Sequence, residues 1–244
     1  PFPLEYVSVS SMSPLQRAAY EGDLIRVRAI LAIDLMHLMH VDSEGRSSLF
    51  FAALGGQPRV ARFLWQAYTH LRLDQTFDDF PLHLAVGKNN LFATAVLLGA
   101  GIPIDQPNQY GLTSLMVAAA AGHLGLVNFL ISQHASMQAY DCIGGNVLHH
   151  TARSQSPHRQ AILEVLIAAK PEQLSLDGMD CRYLTPLMLA AANEAGDLIR
   201  VLVQAGAGLH HQNRYGQTAL SIAIWNRKYG AAALLRNLAS KPAL

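Results

Sequence analysis

Histidine and cysteine are the residue types here that could bind a metal ion or act as nucleophiles, and the sequence has 11 histidines and 2 cysteines. His149-His150 and His210-His211 are adjacent pairs. Neighbouring residues on a helix point about 100° apart, so neither pair can chelate an ion alone. Cys142 and Cys181 lack Cys-x-x-Cys spacing, and no base stands beside either thiol. We therefore expect no metal and no cofactor. A metal or redox sensor that uses the two cysteines and nearby histidines is the alternative.

Catalytic motifs are missing from the sequence. There is no glycine-rich phosphate loop, no His-Glu-x-x-His and no nucleophile elbow. The carboxylates stand mostly at positions that begin turns, such as Asp42, Asp141 and Asp180, where they bond the backbone. The sequence therefore predicts no catalytic residues and no enzymatic activity.

Composition limits the classes of partner. Charged residues make up 14% of the chain and the net charge is +1, so we expect neither nucleic acid nor a membrane as partner. No apolar run reaches the roughly 18 residues of a membrane span, and no signal peptide is visible. Two cysteines suggest no disulfide framework. These features predict a reducing, cytoplasmic compartment and a monomer in isolation.

The element that positions the side chains is clearest between Asn108 and Ile131. Asn108 to Gly111 fits a type I turn, and Thr113 can cap a first helix that carries Leu115 on its apolar face. Gly122 can end that helix in the left-handed conformation, before a second apolar helix follows. This stretch therefore predicts a turn, a helix, a second turn and a second helix.

Copies of this unit recur along the chain. Leucines equivalent to Leu115 follow one another at spacings of 34, 33, 33, 33, 39 and 33 residues. A period of 33 with a turn and two helices is the signature of ankyrin repeats. The anchoring leucines are Leu15, Leu49, Leu82, Leu115, Leu148, Leu187 and Leu220.

Local motifs carry the same resemblance. Ser13-Pro14-Leu15, Pro81-Leu82-His83 and Thr185-Pro186-Leu187 are parts of the Thr-Pro-Leu-His motif of the ankyrin repeat family. Val117 to His123 is close to the inner-helix consensus of that family. The chain thus resembles ankyrin repeat proteins, which implies an all-α solenoid of helix-turn-helix units joined by β-hairpin or turn loops. The resemblance fixes the fold and leaves the function open.

The register divides the chain into segments. Residues 1–12 are predicted to be an extended lead-in, residues 13–238 a single ankyrin-repeat domain, and residues 239–244 a tail. Insertions are expected near 154–157 and 168–178, as loops of functional or neutral origin. In the sixth repeat Gly196 comes two residues late, which predicts a longer first helix. The repeats are predicted near 13–41, 42–74, 75–107, 108–140, 141–179, 180–212 and 213–238.

The resemblance also suggests roles for histidines and cysteines. His83 and His149 occupy the position at which ankyrin histidines bond the backbone of a neighbouring loop. Cys142 and Cys181 stand at the same place on adjacent hairpins. Adjacent repeats of the family stack about 10 Å apart, whereas a disulfide needs Cα atoms within about 7 Å. We therefore expect two thiols without a disulfide between them.

Two rows of side chains are candidates for partner binding on the concave face formed by hairpin tips and inner helices. Four of the six residues at the third turn position are apolar or aromatic, although a solvated tip would favour polar residues. Packing of each tip against its neighbour is the alternative explanation. The tip row is Glu44, Phe77, Tyr110, Ile143, Arg182 and Tyr215. The inner-helix row includes Tyr20, Leu54, Lys88, Arg153, Asn193 and Trp225.

These rows predict a non-catalytic module that binds a protein or peptide. The alternative is the targeting part of a longer enzyme or bacterial effector whose catalytic domain lies outside this segment. Irregular arrays of this kind resemble the ankyrin effectors that intracellular bacteria deliver to host cells, which would place the chain in the host cytosol. The complete reading frame discriminates between these hypotheses.

Overall fold

The computed structural model describes residues 12–72, 81–169 and 171–240, and its contacts divide the chain into two compact units, Pro1–Gln109 (unit 1) and Tyr110–Leu244 (unit 2). The described residues form an all-α protein with fourteen α-helices. Unit 1 contains α1 (Pro14–Glu21), α2 (Leu24–Ile33), α3 (Ser48–Leu54), α4 (Pro58–His70), α5 (Pro81–Gly87) and α6 (Leu91–Gly99). Unit 2 contains α7 (Ser114–Ala121), α8 (Leu124–Ser132), α9 (Val147–Arg153), α10 (Arg159–Ala169), α11 (Pro186–Ala192), α12 (Gly196–Gln204), α13 (Ala219–Trp225) and α14 (Tyr229–Ala239).

The helices of each unit pair along the chain and stack in two rows. In unit 1, inner helices α1, α3 and α5 pack in series, and α4 of the outer row touches α2 and α6. In unit 2 the inner row is α7, α9, α11 and α13, and the outer row is α8, α10, α12 and α14. Six of the seven anchoring leucines are buried, because they fill the space between the two rows; Leu220 is half-buried. This is the predicted helix-turn-helix arrangement. One continuous domain over 13–238 stays a prediction.

A buried tyrosine holds the irregular end of the first repeat. The 3₁₀ helix Leu35–Met39 follows α2, and Tyr68 of α4 donates its hydroxyl to the Leu38 carbonyl at 2.8 Å. The same hydroxyl lies 3.2 Å from the Ser48 hydroxyl. Burial raises the pKa of Tyr68 to about 12, since the phenolate would lose its solvation there. Tyr68 therefore stays neutral and acts as a fixed donor.

Every inner helix whose preceding residue is described begins with a side-chain cap two residues before its anchoring leucine. Thr113 accepts from the amide of Met116, as predicted, and this bond satisfies an amide that the helix itself leaves unpaired. Asn146 caps α9 in the same way through the amides of Leu148 and His149. The caps of the inner row are Ser13, Ser47, Thr113, Asn146, Thr185 and Thr218.

In every repeat except the fifth, which carries the insertion, the turn between the two helices has a left-handed residue seven positions after the anchoring leucine. Gly122 takes this conformation at φ +78°, as predicted. In the sixth repeat Glu194 takes it at φ +56°, and Gly196 is instead the first residue of α12. The longer first helix predicted from Gly196 is therefore wrong, because α11 ends at Ala192. The register, and not the nearest glycine, decides where the helix ends.

The hairpin loops share one hydrogen-bonding scheme. Asp141 Oδ1 accepts from the amides of Ile143 and Gly145, at 2.9 and 2.7 Å, so this carboxylate serves the backbone as predicted. The fourth residue of each described loop is left-handed: Gly144 has φ +76°, and Tyr183 is forced to φ +60° in the same place. The loop at 75–78, with Phe77, lies outside the described residues.

Both predicted insertions lie in unit 2, and the second is described at 168–169, the end of α10, and from 171 onward. Five residues separate α9 from α10, whereas two separate α7 from α8, so the extra residues lie at 154–158 as expected. A Cβ on Gly122 would overlap the Ser156 side chain, which shows how closely this loop covers the preceding turn. In the second loop, the Ser175 carbonyl accepts from Asn146 Nδ2 at 2.9 Å. Asp177 accepts from the Gly208 amide at 2.8 Å, so this insertion links its neighbours.

Candidate functional site

A groove of about 330 Å³ opens in unit 2 between α11, α13 and the two hairpin loops that precede them. We call it the Trp225 groove. Three residues that the sequence predicted for partner binding meet in it: Arg182 and Tyr215 from the tips, and Trp225 from the inner row. Its full lining is Arg182, Leu184, Met188, Ala192, Asn213, Arg214, Tyr215, Gln217, Ile222, Trp225 and Asn226.

The aromatic side chains of the groove stand largely in solvent. Trp225 is the last residue of α13 and is 80% exposed, while Tyr215 is 71% exposed. Asn213 Oδ1 accepts from the Tyr215 and Gln217 amides at 2.9 and 3.0 Å, which fixes the loop beneath the ring. The Arg214 guanidinium lies 5.1 Å from the centre of the Tyr215 ring, within the range of a cation–π contact. The loop backbone is thus satisfied internally, which leaves both rings available for contact.

A buried carboxylate positions the charged side of the groove. Asp180 Oδ1 accepts from the amides of Arg182 and Leu184, at 2.9 and 3.0 Å. Its Oδ2 accepts from the guanidinium of Arg153 at 2.8 Å and lies 3.5 Å from that of Arg182. Two guanidiniums therefore share one carboxylate. With Arg214 in the lining and no acidic residue there, the groove is positively charged.

The two remaining described tips of unit 2 are also exposed. Tyr110 is 60% and Ile143 is 40% exposed. The loops are joined through their backbones, since the Cys142 amide donates to the Tyr110 carbonyl at 3.0 Å and the Cys181 amide to the Ile143 carbonyl at 2.6 Å. Mutual packing of tip side chains therefore does not hide these two residues.

In unit 1 the predicted residues are used differently. Glu44 and Lys88, one from each row, form an ion pair at 3.2 Å, and both are exposed. Tyr20 and Leu54 are half-buried between α1 and α3. Two further predicted residues remain. Asn193, in unit 2, donates to the Ala152 carbonyl at 3.1 Å. Phe77 lies outside the described residues.

Sequence reasoning missed two kinds of residue in the Trp225 groove. Arg214 could have been found, because it precedes Tyr215 in a loop already marked as a tip. Met188 and Ile222 carried no such signal, since apolar residues on inner helices are ordinary core positions. Both are buried, at 1% and 7% exposed, and only their outer edges line the floor of the groove.

The histidines of the fifth repeat are structural. His149 Nδ1 accepts from the Asn146 amide at 3.1 Å, and its Nε2 donates to the Leu184 carbonyl at 3.0 Å, so the ring bonds the neighbouring loop as predicted. His150 Nε2 lies 2.9 Å from Asp141 Oδ2. Burial lowers the pKa of both rings, and for His150 it outweighs the opposing effect of Asp141. Both histidines are therefore neutral at pH 7.

No metal site emerges from the described part of the chain: no group of three or more histidine, cysteine or acidic residues there could hold an ion. Cys142 and Cys181 are exposed and are not joined by a disulfide. Every helix within residues 12–72, 81–169 and 171–240 is too short or too polar to cross a lipid bilayer.

Three known proteins of different kinds have sequences similar to this chain. The chain is 25% identical over 217 residues to the probable 26S proteasome regulatory subunit p28 of Saccharomyces cerevisiae, covering 86% of this chain and 93% of the yeast protein. It is 27% identical to the L-asparaginase of Dirofilaria immitis over 69% of this chain, but this spans only 28% of that protein. It is also 27% identical to the probable E3 ubiquitin-protein ligase XBOS32 of Oryza sativa subsp. japonica, over 68% of this chain and 39% of the ligase.

The family assignment rests on a match to a protein-family model. The chain matches the family described as ankyrin repeats (3 copies) over residues 67–141 and 148–243, which is most of its length. The paired helices, capped inner row and left-handed turns described above agree with that match. The chain belongs to the ankyrin repeat family.

Proposed function

We propose that this chain is a non-catalytic protein-binding module that holds a segment of a partner protein in the Trp225 groove of unit 2. Ankyrin repeat domains are generally protein-binding modules, and this general role applies to the chain through its family. The finer claim is that Trp225, Tyr215 and Arg182 form the centre of the interface. Tyr110 and Ile143 extend it along the tips of the same unit.

The observation that carries this proposal is the exposure of two large aromatic rings beside an arginine in one groove. Tryptophan, tyrosine and arginine are the residues that most often dominate binding energy at interfaces. Trp225 and Tyr215 are 80% and 71% exposed, so a partner could bury most of both rings. Burial of one such side chain typically contributes about 2 kcal/mol, which is large for a single contact. The groove lies along two helices and two loops, which suits an extended segment or a helix better than a small molecule.

The charge of the groove narrows the partner further. Arg182 and Arg214 line it without an acidic neighbour in the lining, so a partner segment that combines apolar and acidic side chains would match both its floor and its rim. The similarity to the probable 26S proteasome regulatory subunit p28 covers 93% of that protein. We therefore propose a component of the 26S proteasome as the first partner to test.

The experiment captures purified 26S proteasome on the immobilised chain and compares Trp225→Ala with Tyr229→Ala. Tyr229 is 68% exposed on α14 and does not line the groove, so it is a matched aromatic control. Trp225→Ala should weaken capture about tenfold or more, a loss of about 1.4 kcal/mol or greater. Tyr229→Ala should leave capture unchanged.

A second variant tests the extension along the tips. Tyr110→Asp combined with Ile143→Asp should weaken binding to the same partner, because both side chains are exposed and the change adds two charges that an apolar contact excludes. Circular dichroism should show an unchanged fold. Full affinity in folded Trp225→Ala or in the double variant would contradict the proposed surface, and no capture by the unaltered chain would exclude the proteasome as partner.

A second candidate function is favoured by the partial matches. The similarity spans 28% of the nematode L-asparaginase and 39% of the rice ubiquitin ligase, so related segments occur within longer proteins. In this second candidate function, the chain is the targeting part of such a longer protein. The complete reading frame would decide, since a catalytic domain in the same frame supports this candidate. The yeast, nematode and plant relatives lend no support to a bacterial effector. We also propose that the chain is cytoplasmic, which cell fractionation would test, and monomeric in isolation, which light scattering would test.

A further inference from the structure

We propose that unit 1 carries a second binding site, a groove between α2 and α4 that takes an acidic, partly apolar segment of a partner protein. The groove has a volume of about 420 Å³ and is distinct in every lining residue from the Trp225 groove. We call it the arginine groove, after Arg28, Arg59 and Arg62, which line it together with Leu24, Phe63 and other residues of the same two helices. It lies on the outer row of helices, away from the hairpin tips.

The charges of the arginine groove are not balanced within the described part of unit 1. Eight lysines and arginines are described in that unit, and four of them form ion pairs with carboxylates, namely Arg17, Arg26, Arg46 and Lys88. Three of the other four, Arg28, Arg59 and Arg62, lie in this single groove, with no described carboxylate within 4.0 Å. Half of the described lysines and arginines of this unit thus form ion pairs, and three of the other four lie together in one groove.

Two of the three guanidiniums are held in place by contacts that leave donors unused. The Arg28 guanidinium lies 5.1 Å from the centre of the Phe63 ring. Arg62 Nη2 donates to the Gly99 carbonyl, at the end of α6, at 3.1 Å. A guanidinium has five N–H donors, so Arg62 keeps most of its donors for a ligand. Because these side chains are already held in place, binding a ligand would cost them less conformational entropy.

Spacing suggests how a partner would be engaged. Arg59 and Arg62 are three residues apart on α4, which places their Cβ atoms about 5–6 Å apart on one face. Two acidic side chains one helical turn apart on a partner have the same separation and can accept from both guanidiniums. Arg28 faces them from α2, across the groove. The site therefore offers carboxylates three guanidiniums, two of which are held in place by contacts within the unit.

The apolar floor of the arginine groove and its small number of cations favour a protein as the partner over a phosphate polymer or a lipid surface. Leu24 and Phe63 are half-buried in the groove, and Ile25, one turn before Arg28, is 84% exposed. An apolar side chain of a partner would cover these carbons. Affinity for nucleic acid grows with the number of phosphates that lysines and arginines neutralise, and lipid-binding clusters have about 4–8 basic residues, whereas three arginines line this groove. An amphipathic acidic segment fits both features.

The test uses a short synthetic helical peptide, labelled with fluorescein, that presents two glutamates one turn apart beside two leucines. A second peptide carries glutamine in place of both glutamates. Fluorescence anisotropy should show saturable binding of the acidic peptide to the full chain, weakening as salt rises, and binding of the glutamine peptide at least about tenfold weaker. Arg59→Glu should reduce affinity for the acidic peptide by about tenfold or more, and Arg59→Gln by less.

Arg200→Glu is the matched control, because Arg200 is an exposed arginine on α12 of unit 2 and the change in net charge is identical. It should leave the affinity unchanged, and circular dichroism should show that all variants fold. The proposal is overturned if the acidic peptide does not saturate, if the glutamine peptide binds equally, or if Arg59→Glu and Arg200→Glu behave alike. Tighter, Arg59-dependent binding to single-stranded RNA or to vesicles with phosphatidylinositol bisphosphate would also overturn it, in favour of a phosphate ligand.

Discussion

The substitution Gly111→Ala tests whether backbone contact between hairpin loops, and not backbone strain alone, stabilises unit 2. Gly111 is left-handed at φ +75°, and a Cβ added there would lie 2.6 Å from the Cys142 nitrogen and 3.0 Å from Asp141 backbone atoms. Gly216 and Gly45 have φ +71° and +74°, with no atom within 4 Å of an added Cβ. The three glycines therefore share the strain, and only Gly111 adds a collision with backbone.

The magnitudes follow from these contacts. A left-handed alanine costs about 1–2 kcal/mol, and the reduced freedom of the unfolded chain returns about 0.4–1 kcal/mol, so Gly216→Ala and Gly45→Ala should each cost about 1 kcal/mol. Gly111→Ala must also separate the two loops, which breaks the 3.0 Å bond from the Cys142 amide to the Tyr110 carbonyl. Loss of that bond and the local displacement add about 2 kcal/mol, for a total of about 3 kcal/mol.

Urea unfolding followed by circular dichroism at neutral pH measures these differences, provided that the slope of the transition is unchanged. We expect Gly111→Ala to lower the free energy of unfolding by about 2 kcal/mol more than either control. Equal losses for Gly111→Ala and Gly216→Ala would show that contact between the loops contributes nothing beyond the left-handed requirement, and this reasoning would fail.

Three further predictions concern strain, pH and a buried donor. Tyr183→Gly should stabilise the chain by about 0.5–1 kcal/mol, because it removes a left-handed tyrosine that is 52% exposed, and urea unfolding would detect the change. His149 and His150 have pKa values lowered by burial, so the unfolded chain binds more protons in acid. The stability that the two neutral rings give the folded chain is fully present above the unfolded pKa of 6.5 and is lost as pH falls below that value. The temperature of the unfolding midpoint should therefore fall between pH 7.5 and pH 5.5, and it should fall by less in His150→Gln. Tyr68→Phe should cost about 1–2 kcal/mol in urea unfolding, since the Leu38 carbonyl loses its donor.

Much of the fold could be predicted because its signals are local. The cap at Thr113, the left-handed Gly122 and the turn at Asp141 each depend on residues within a few positions of one another. A turn residue works through its own backbone, so its type and spacing indicate the structure without knowledge of the rest of the chain. Recurrence of these signals every 33 residues then fixes which helices pair.

Glu194 and Tyr183 show where local signals fail. Both adopt left-handed angles that their residue types do not favour, at φ +56° and +60°. The stacked helices fix where each connecting segment begins and ends. The residue at the turn of that segment must therefore adopt the left-handed angle, whatever its type. Gly196, the more obvious turn residue, was therefore misleading, since it opens α12.

The order of the residues is enough to predict the repeat, its helix pairs and the candidate rows of tip and inner-helix residues, because a periodic pattern can be read without coordinates. Packing of distant segments selects which of these candidates lie together. Trp225, Tyr215 and Arg182 share one groove, whereas Arg153 is drawn to the buried carboxylate of Asp180. Side chains that are tens of residues apart in the sequence meet only through packing. A buried charge such as Asp180 needs a partner of opposite charge, so Arg153 is held by it and is less available to bind another protein.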